Sequence, residues 1–161
     1  MITLKNPGKV FEEDIKKSVP KEYWIYRFKD GTANFSGSKN ENVRFQAHNI
    51  CDFMIMTKEN LILLELKSHK GSSIPFSCIR KNQIEEMTKI EHSKIKSYFL
   101  LNFRDSENTY AVLATVLKKY IENSNRKSVP ISWCEENGVK IMAIKKKVRY
   151  EYLIKDFLDK A

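Results

Sequence analysis

The sequence predicts an α/β fold on a mixed β-sheet, and three patterns carry that prediction. Residues 50–57 and 60–67 are apolar, strand-length runs separated by a short polar turn. Residues 79–95 carry a helical repeat, with Ile79, Gln83, Met87, Ile90 and Lys94 along one broad side. Two further strand-like runs, 98–103 and 109–114, follow that helix. At 161 residues and 42% hydrophobic content, one compact domain over 1–161 is expected, since no repeat or distinct linker divides the chain.

The elements follow in order. Asn6 as N-cap and Pro7 in the first turn start a helix near 7–18, whose positive end suits Glu12, Glu13 and Asp14. Ser18-Val19-Pro20 stops it. Residues 23–28 are aromatic and strand-like, whereas 29–42 are polar with glycines at 31 and 37, a long loop or excursion carried by the domain. After a loop at 70–75 come the 79–95 helix and the two later strands, joined through 104–108. Thr115 is positioned to cap a helix running to about Glu122, ahead of a polar break at 123–127. A short edge strand at 139–144 and a terminal amphipathic helix at 150–158 complete the reading.

Bulk chemistry narrows the function. The formal charge is +9, which favours a polyanionic partner. No apolar run is long enough for a membrane span, and charges at Lys5, Lys9, Glu12 and Glu13 interrupt any signal-peptide core, so a cytoplasmic protein is expected. Cys51, Cys78 and Cys134 form no CxxC pair and read as reduced and structural; with the histidines they supply no orderly four-ligand zinc set. Walker and Gly-x-Gly-x-x-Gly motifs are absent.

The chemistry concentrates at Asp52 and Glu65-Leu66-Lys67. Asp52 interrupts an apolar strand, where a carboxylate needs a partner or a functional face. If Thr57 and Asn60 pair across the turn, antiparallel counting sets Asp52 opposite Glu65 on one face, with Cβ atoms roughly 4.5–5.5 Å apart. Period-two alternation adds Lys67 to that face. Two close carboxylates are natural ligands for a hard divalent cation, and the Leu66 carbonyl can join them. Lys67 can then orient or activate water, or stabilise developing charge on a phosphodiester. The bland reading is an acidic–basic strand edge exposed to solvent.

The combined order of motifs resembles RecU-type Holliday junction resolvases, in short phage or mobile-element form, within the PD-(D/E)xK nuclease superfamily. Asn6-Pro7-Gly8 through Glu12 resembles that family's opening Asn-x-Gly…Glu motif. Asp52 with Glu65-Leu66-Lys67 matches its central acids and lysine, and Asn82-Gln83 resembles its His-Gln pair. The sequence departs at Asn82 for histidine, Ile50 for a hydroxyl residue and Leu66 for alanine. The resemblance implies a restriction-endonuclease-like fold, a central mixed sheet flanked by helices. It also implies magnesium (with manganese as substitute), a homodimer, and paired symmetric nicks in four-way DNA. It selects Glu12 as a further metal or water ligand and Gln83 as a secondary catalytic residue, and it matches 29–49 to a junction-engaging stalk.

Candidate DNA contacts are Lys29, Lys39, Arg44 and His48 in that segment, His69 beyond Lys67, Arg80 and Lys81, and the run Lys145-Lys146-Lys147 with Arg149. Each is individually an ordinary surface residue. A restriction or repair nuclease acting on duplex DNA, and a non-catalytic basic DNA-binding protein, are the competing functions.

Overall fold

Asn6 Oδ1 accepts the Gly8 N–H at 2.9 Å and Pro7 opens the first turn, so α1 spans Pro7–Ser18 as its capping residues require. The computed structural model describes residues 6–29 and 49–161. Most of the predicted excursion, with Lys39, Arg44 and His48, lies outside the described residues.

After α1 come β1 (Trp24–Arg27), β2 (Phe53–Met56), β3 (Leu61–His69) and β4 (Ser73–Pro75). A 3₁₀ turn at Phe76–Cys78 leads into α2 (Lys81–Lys89), followed by β5 (Ile95–Phe103), β6 (Asn108–Leu113) and α3 (Ala114–Asn123). The chain continues through β7 (Ser128–Pro130), α4 (Ile131–Asn137), β8 (Val139–Ile141), β9 (Ala143–Lys146), β10 (Arg149–Tyr152) and α5 (Lys155–Lys160). Six strands form the main sheet in the order β1-β2-β3-β5-β6-β8. Only β3 and β5 run parallel, because α2 carries the chain across between them; the other pairs are antiparallel. The fold is α/β with a mixed central sheet flanked by helices.

Alternation along β3 explains the two cores. Ile62, Leu64 and Leu66 face α1, where they bury Phe11 and Ile15, with Tyr152 and Phe157 in the same cluster. Leu63 faces the other layer, with Ile84 and Met87 of α2 and Leu117 of α3. Glu65 and Lys67 share that second face.

Several elements differ from the sequence reading. The helix expected over 79–95 is limited to Lys81–Lys89, since Ile90 caps it and His92 bridges Ile95, which opens β5. The apparent repeat joined a helix to a turn. Leu113, not Thr115, stands at the N-cap of α3; the Thr115 hydroxyl bonds Glu91 instead. The strand expected over 139–144 breaks at Met142 into β8 on the main sheet and β9 in a separate hairpin with β10. The terminal helix expected over 150–158 is Lys155–Lys160, because Tyr150 and Tyr152 pair with β9. The short β4–β7 pair and α4 have no counterpart in the sequence reading.

One polar contact fastens that hairpin to α1. Asp14, 3% exposed, accepts Arg149 Nε at 2.6 Å and the Tyr150 N–H at 3.2 Å. Arg149 also bonds Glu13 at 3.0 Å. Removing the buried partner strands a charge and a backbone donor, so Asp14→Ala is expected to cost about 2–4 kcal/mol in urea unfolding. The more exposed Glu13→Ala is expected to cost under about 1 kcal/mol in the same measurement.

Candidate active site

The β2–β3 hairpin delivers the predicted register. Thr57 N–H bonds Asn60 O at 2.9 Å, and the pairs run from Met56 with Leu61 to Phe53 with Leu64. Regular pairing stops there, one step short of Asp52 and Glu65. Regular β2 structure begins only at Phe53, so Asp52 lies at the strand's mouth. Its backbone is still held on both sides: the Asp52 N–H donates to Leu64 O at 3.0 Å, and its carbonyl accepts the Phe28 N–H at 2.9 Å.

The Asp52 side chain reaches across the hairpin, and its Oδ2 accepts the Leu66 N–H at 2.7 Å. A strand residue's N–H and C=O point to the same edge, so the Leu66 carbonyl lies on the Asp52 side of β3. Glu65 is 3% exposed. Its Oε1 takes the Lys67 ammonium at 2.6 Å, while its Oε2 is buried with no hydrogen-bond partner among the described residues. A carboxylate oxygen left so is costly unless a cation or water serves it. Here burial, then the Glu65 charge, push the Asp52 carboxyl up to about 7 against the opposing Leu66 N–H; Glu12 adds to the rise and Lys67 opposes it. Cys51 feels the same field, its thiol pushed up to about 12 by burial first and then by Glu65 and Asp52.

Glu12 arrives from the opposite face of the sheet. Its charge reaches Asp52, but its carboxylate is paired with Arg27 of β1, whose Nε donates at 3.1 Å. That partner escaped the sequence reading because the two residues are 15 positions apart and meet only when α1 packs over the β1 edge. Gln83 is buried in α2, on the same sheet side as Glu65, and its Oε1 has no hydrogen-bond partner among the described residues. No hydrogen bond among the described residues joins it to the acidic pair. Among the described residues no three His, Cys, Asp or Glu side chains group closely enough to hold an ion by themselves. The groups here that could serve a cation are two carboxylates and a carbonyl. That suits magnesium, which binds through one or two carboxylates and keeps several waters.

The expected DNA contacts fall into different settings. Lys29 and Lys81 are exposed, Arg80 caps α2, and His69 ends β3 half-buried. The basic run is largely engaged internally: Lys145 bonds Glu107 at 2.6 Å, Lys146 pairs with Glu151, and Arg149 is held by Asp14. Lys147 sits at the hairpin tip with φ of 54°. A cleft of about 320 Å³ lies elsewhere, between α1, the far end of β3 and β10, lined by residues including Phe11, Asp14, Ser68 and Tyr150. A polymer substrate needs an accessible edge and no deep cavity, so the carboxylate geometry outweighs cleft size here.

The family described as Recombination protein U matches residues 6–156. An SPbeta prophage-derived uncharacterized protein, YotM of Bacillus subtilis strain 168, is 34% identical over 92% of this chain and 83% of its own length. The Holliday junction resolvase RecU of Lactococcus lactis subsp. cremoris strain SK11 is 28% identical over 66% of this chain and 51% of its own. The Streptococcus pyogenes serotype M5 resolvase RecU is 28% identical over 60% of this chain and 49% of its own. The chain thus spans about half the length of the curated resolvases it matches.

The raised Asp52 carboxyl has a pH signature. Between about pH 4 and 7 the folded protein holds a proton that the unfolded chain has released, so metal-free stability falls as pH rises through that window and levels above it. Asp52→Asn, neutral at every pH, is expected to stabilise the metal-free protein by about 1–3 kcal/mol at pH 8 and by little at pH 5. Urea titrations at the two pH values, in chelator, measure both.

Proposed function

The chain belongs to the Recombination protein U family, and from that premise we propose that it is a magnesium-dependent endonuclease resolving four-way DNA junctions by paired symmetric nicks. In this reading it is a single restriction-endonuclease-like nuclease domain that acts on branched DNA as a homodimer. The observation that carries the chemistry is the buried pair Asp52 and Glu65, with Oε2 of Glu65 left open and Lys67 at 2.6 Å from Oε1.

Asp52, Glu65 and the Leu66 carbonyl would hold the divalent ion. When bound, that ion supplies a polarised water and positive charge beside the phosphodiester. Every other role belongs to side chains of this chain. Asp52 is fixed by the Leu66 N–H, so its second oxygen keeps one orientation without lengthy searching. Glu65 is fixed in the same way by Lys67. The Lys67 ammonium, already in the site, stabilises the additional negative charge as the phosphorus becomes five-coordinate. Gln83, with its unpartnered Oε1, is the group for orienting the attacking water. Glu12, held by Arg27, acts on Asp52 through its charge and is available as an outer ligand through water. Deprotonated Asp52 is the competent form, so ion binding releases a proton and weakens about tenfold per pH unit below 7. No helix among the described residues is long and apolar enough to cross a membrane.

End-labelled mobile four-way junction and matched linear duplex, each with magnesium or chelator, test this reading. Paired metal-dependent nicks near the branch are expected, with little cutting of duplex. Asp52→Asn and Glu65→Gln are expected to lose at least about 10³-fold in cleavage and Lys67→Ala about 10²–10³-fold, with junction binding retained. Equal cutting of duplex would make the protein a general nuclease. Undiminished cleavage by both carboxylate variants would remove the assigned site.

A further inference from the structure

We propose that the exposed aromatic stripe of β1, Trp24–Tyr26–Phe28, is a stacking platform for unpaired nucleobases of the strand being cut; this rests on the nucleolytic reading above. Trp24 is 54% and Tyr26 44% exposed, which is unusual for large aromatics on a sheet. Their rings lie nearly parallel, with centroids 6.0 Å apart and planes inclined by 12°. Phe28 meets Tyr26 edge-on at 5.2 Å and packs partly into the α2-side core, anchoring the row.

Register ties the row to the acidic pair. Trp24 lies opposite Met56 and Tyr26 opposite Met54. The next step on this face is Phe28, whose N–H donates to the Asp52 carbonyl, and Asp52 in turn bonds the Leu64 carbonyl and the Leu66 N–H, the two chain neighbours of Glu65. The stripe is therefore continuous with the site, ending at its first carboxylate, and successive rings advance by roughly 6.6–6.8 Å along the strand. Exposed Lys21 and Lys29 flank it in sequence and supply charge for the phosphates between stacked bases.

The geometry selects the occupant. Flat aromatic faces stack on any base, but only on one whose own face is not already covered by a neighbour in a duplex. Unpaired bases beside a branch meet that condition; intact duplex does not. Exposed Met56 offers an adaptable apolar border for whichever base is presented.

The test uses the full-length protein in chelator, so that binding is read without cutting. Intrinsic fluorescence is titrated with a single-stranded oligonucleotide, an abasic oligomer of equal length and charge, and matched duplex. The difference between the parent and Trp24→Phe isolates Trp24 from Trp133. Quenching of Trp24 by the base-bearing strand and not by the abasic one is expected. Trp24→Ala and Tyr26→Ala should each weaken single-strand binding about tenfold while leaving the salt dependence of log K unchanged, and Trp24→Phe should restore most of it. Thermal melting checks that the variants fold. Equal affinity for the abasic oligomer, or unaltered binding by folded alanine variants, overturns the platform. So does a change in sedimentation without a change in DNA affinity, which would assign the stripe to a second copy of the chain. Normal junction cleavage alongside such results would leave the nuclease reading intact; absence of any DNA binding by the parent would remove both.

Discussion

A single side-chain contact, Asp52 Oδ2 to the Leu66 N–H, organises the candidate site. It stands where a ladder hydrogen bond between β2 and β3 would otherwise form, so the hairpin opens at Asp52 while its backbone stays tied on both sides. The consequence is electrostatic. Glu65 is buried near Asp52, and two carboxylates so placed repel each other in a medium that screens poorly. The Lys67 ammonium answers one of the four carboxylate oxygens and the Leu66 N–H another. What remains is an excess of negative charge that an external cation would relieve.

The rest of the fold holds that excess in place. The parallel β3–β5 ladder runs from Leu61 with Ile95 to His69 with Phe103, so Glu65 and Lys67 sit mid-strand with limited freedom to separate. On one face α1 brings Glu12, restrained by Arg27; on the other α2 brings Gln83 with an unanswered oxygen. Helices from opposite layers thus approach a charged edge that neither could assemble alone. The Asp14–Arg149 contact keeps α1 against the hairpin of β9 and β10, and through it keeps Glu12 near β1. Stability and the charged edge are coupled through one helix.

Much of this was legible because β-structure counts in whole residues. Once Thr57 pairs with Asn60, every cross-strand partner up to Phe53 and Leu64 follows, and alternation assigns Lys67 the face of Glu65; the further step to Asp52 is irregular, since its N–H reaches Leu64 O. The cap at Asn6 was equally local. Errors arose where one periodic pattern spanned two structures. Lys94 continues the spacing of Ile90 and Met87, yet a turn at His92 separates α2 from β5. Tyr150 and Tyr152 fit an amphipathic helix as well as a strand, and only their pairing with β9 decides. Arg149 shows the same limit for charge. Its place in a basic run suggested phosphate, but Asp14, 135 positions away, claims the guanidinium. Composition counts cations without revealing which already have partners.

That distinction bears on how a protein of charge +9 would hold DNA. Arg149 is held by buried Asp14 and Lys67 by Glu65, while Lys145 and Lys146 pair with acids at the surface, where phosphate can still compete for them. Attraction to phosphate from such cations fixes position poorly and carries no preference for branched over linear DNA. Shape has to supply the preference. A deep cleft would be the wrong shape, and the one beside α1 and β10 lies away from the acids. The mouth of the β2–β3 pair suits a polymer better: on the proposed reading a backbone passing there would meet Asp52, and its flanking bases would lie beside the aromatic face of β1. Duplex DNA could approach that mouth through its phosphates but would gain nothing from that face. Strands separated at a branch would gain both interactions, and on the proposed reading that difference would favour branched over linear DNA.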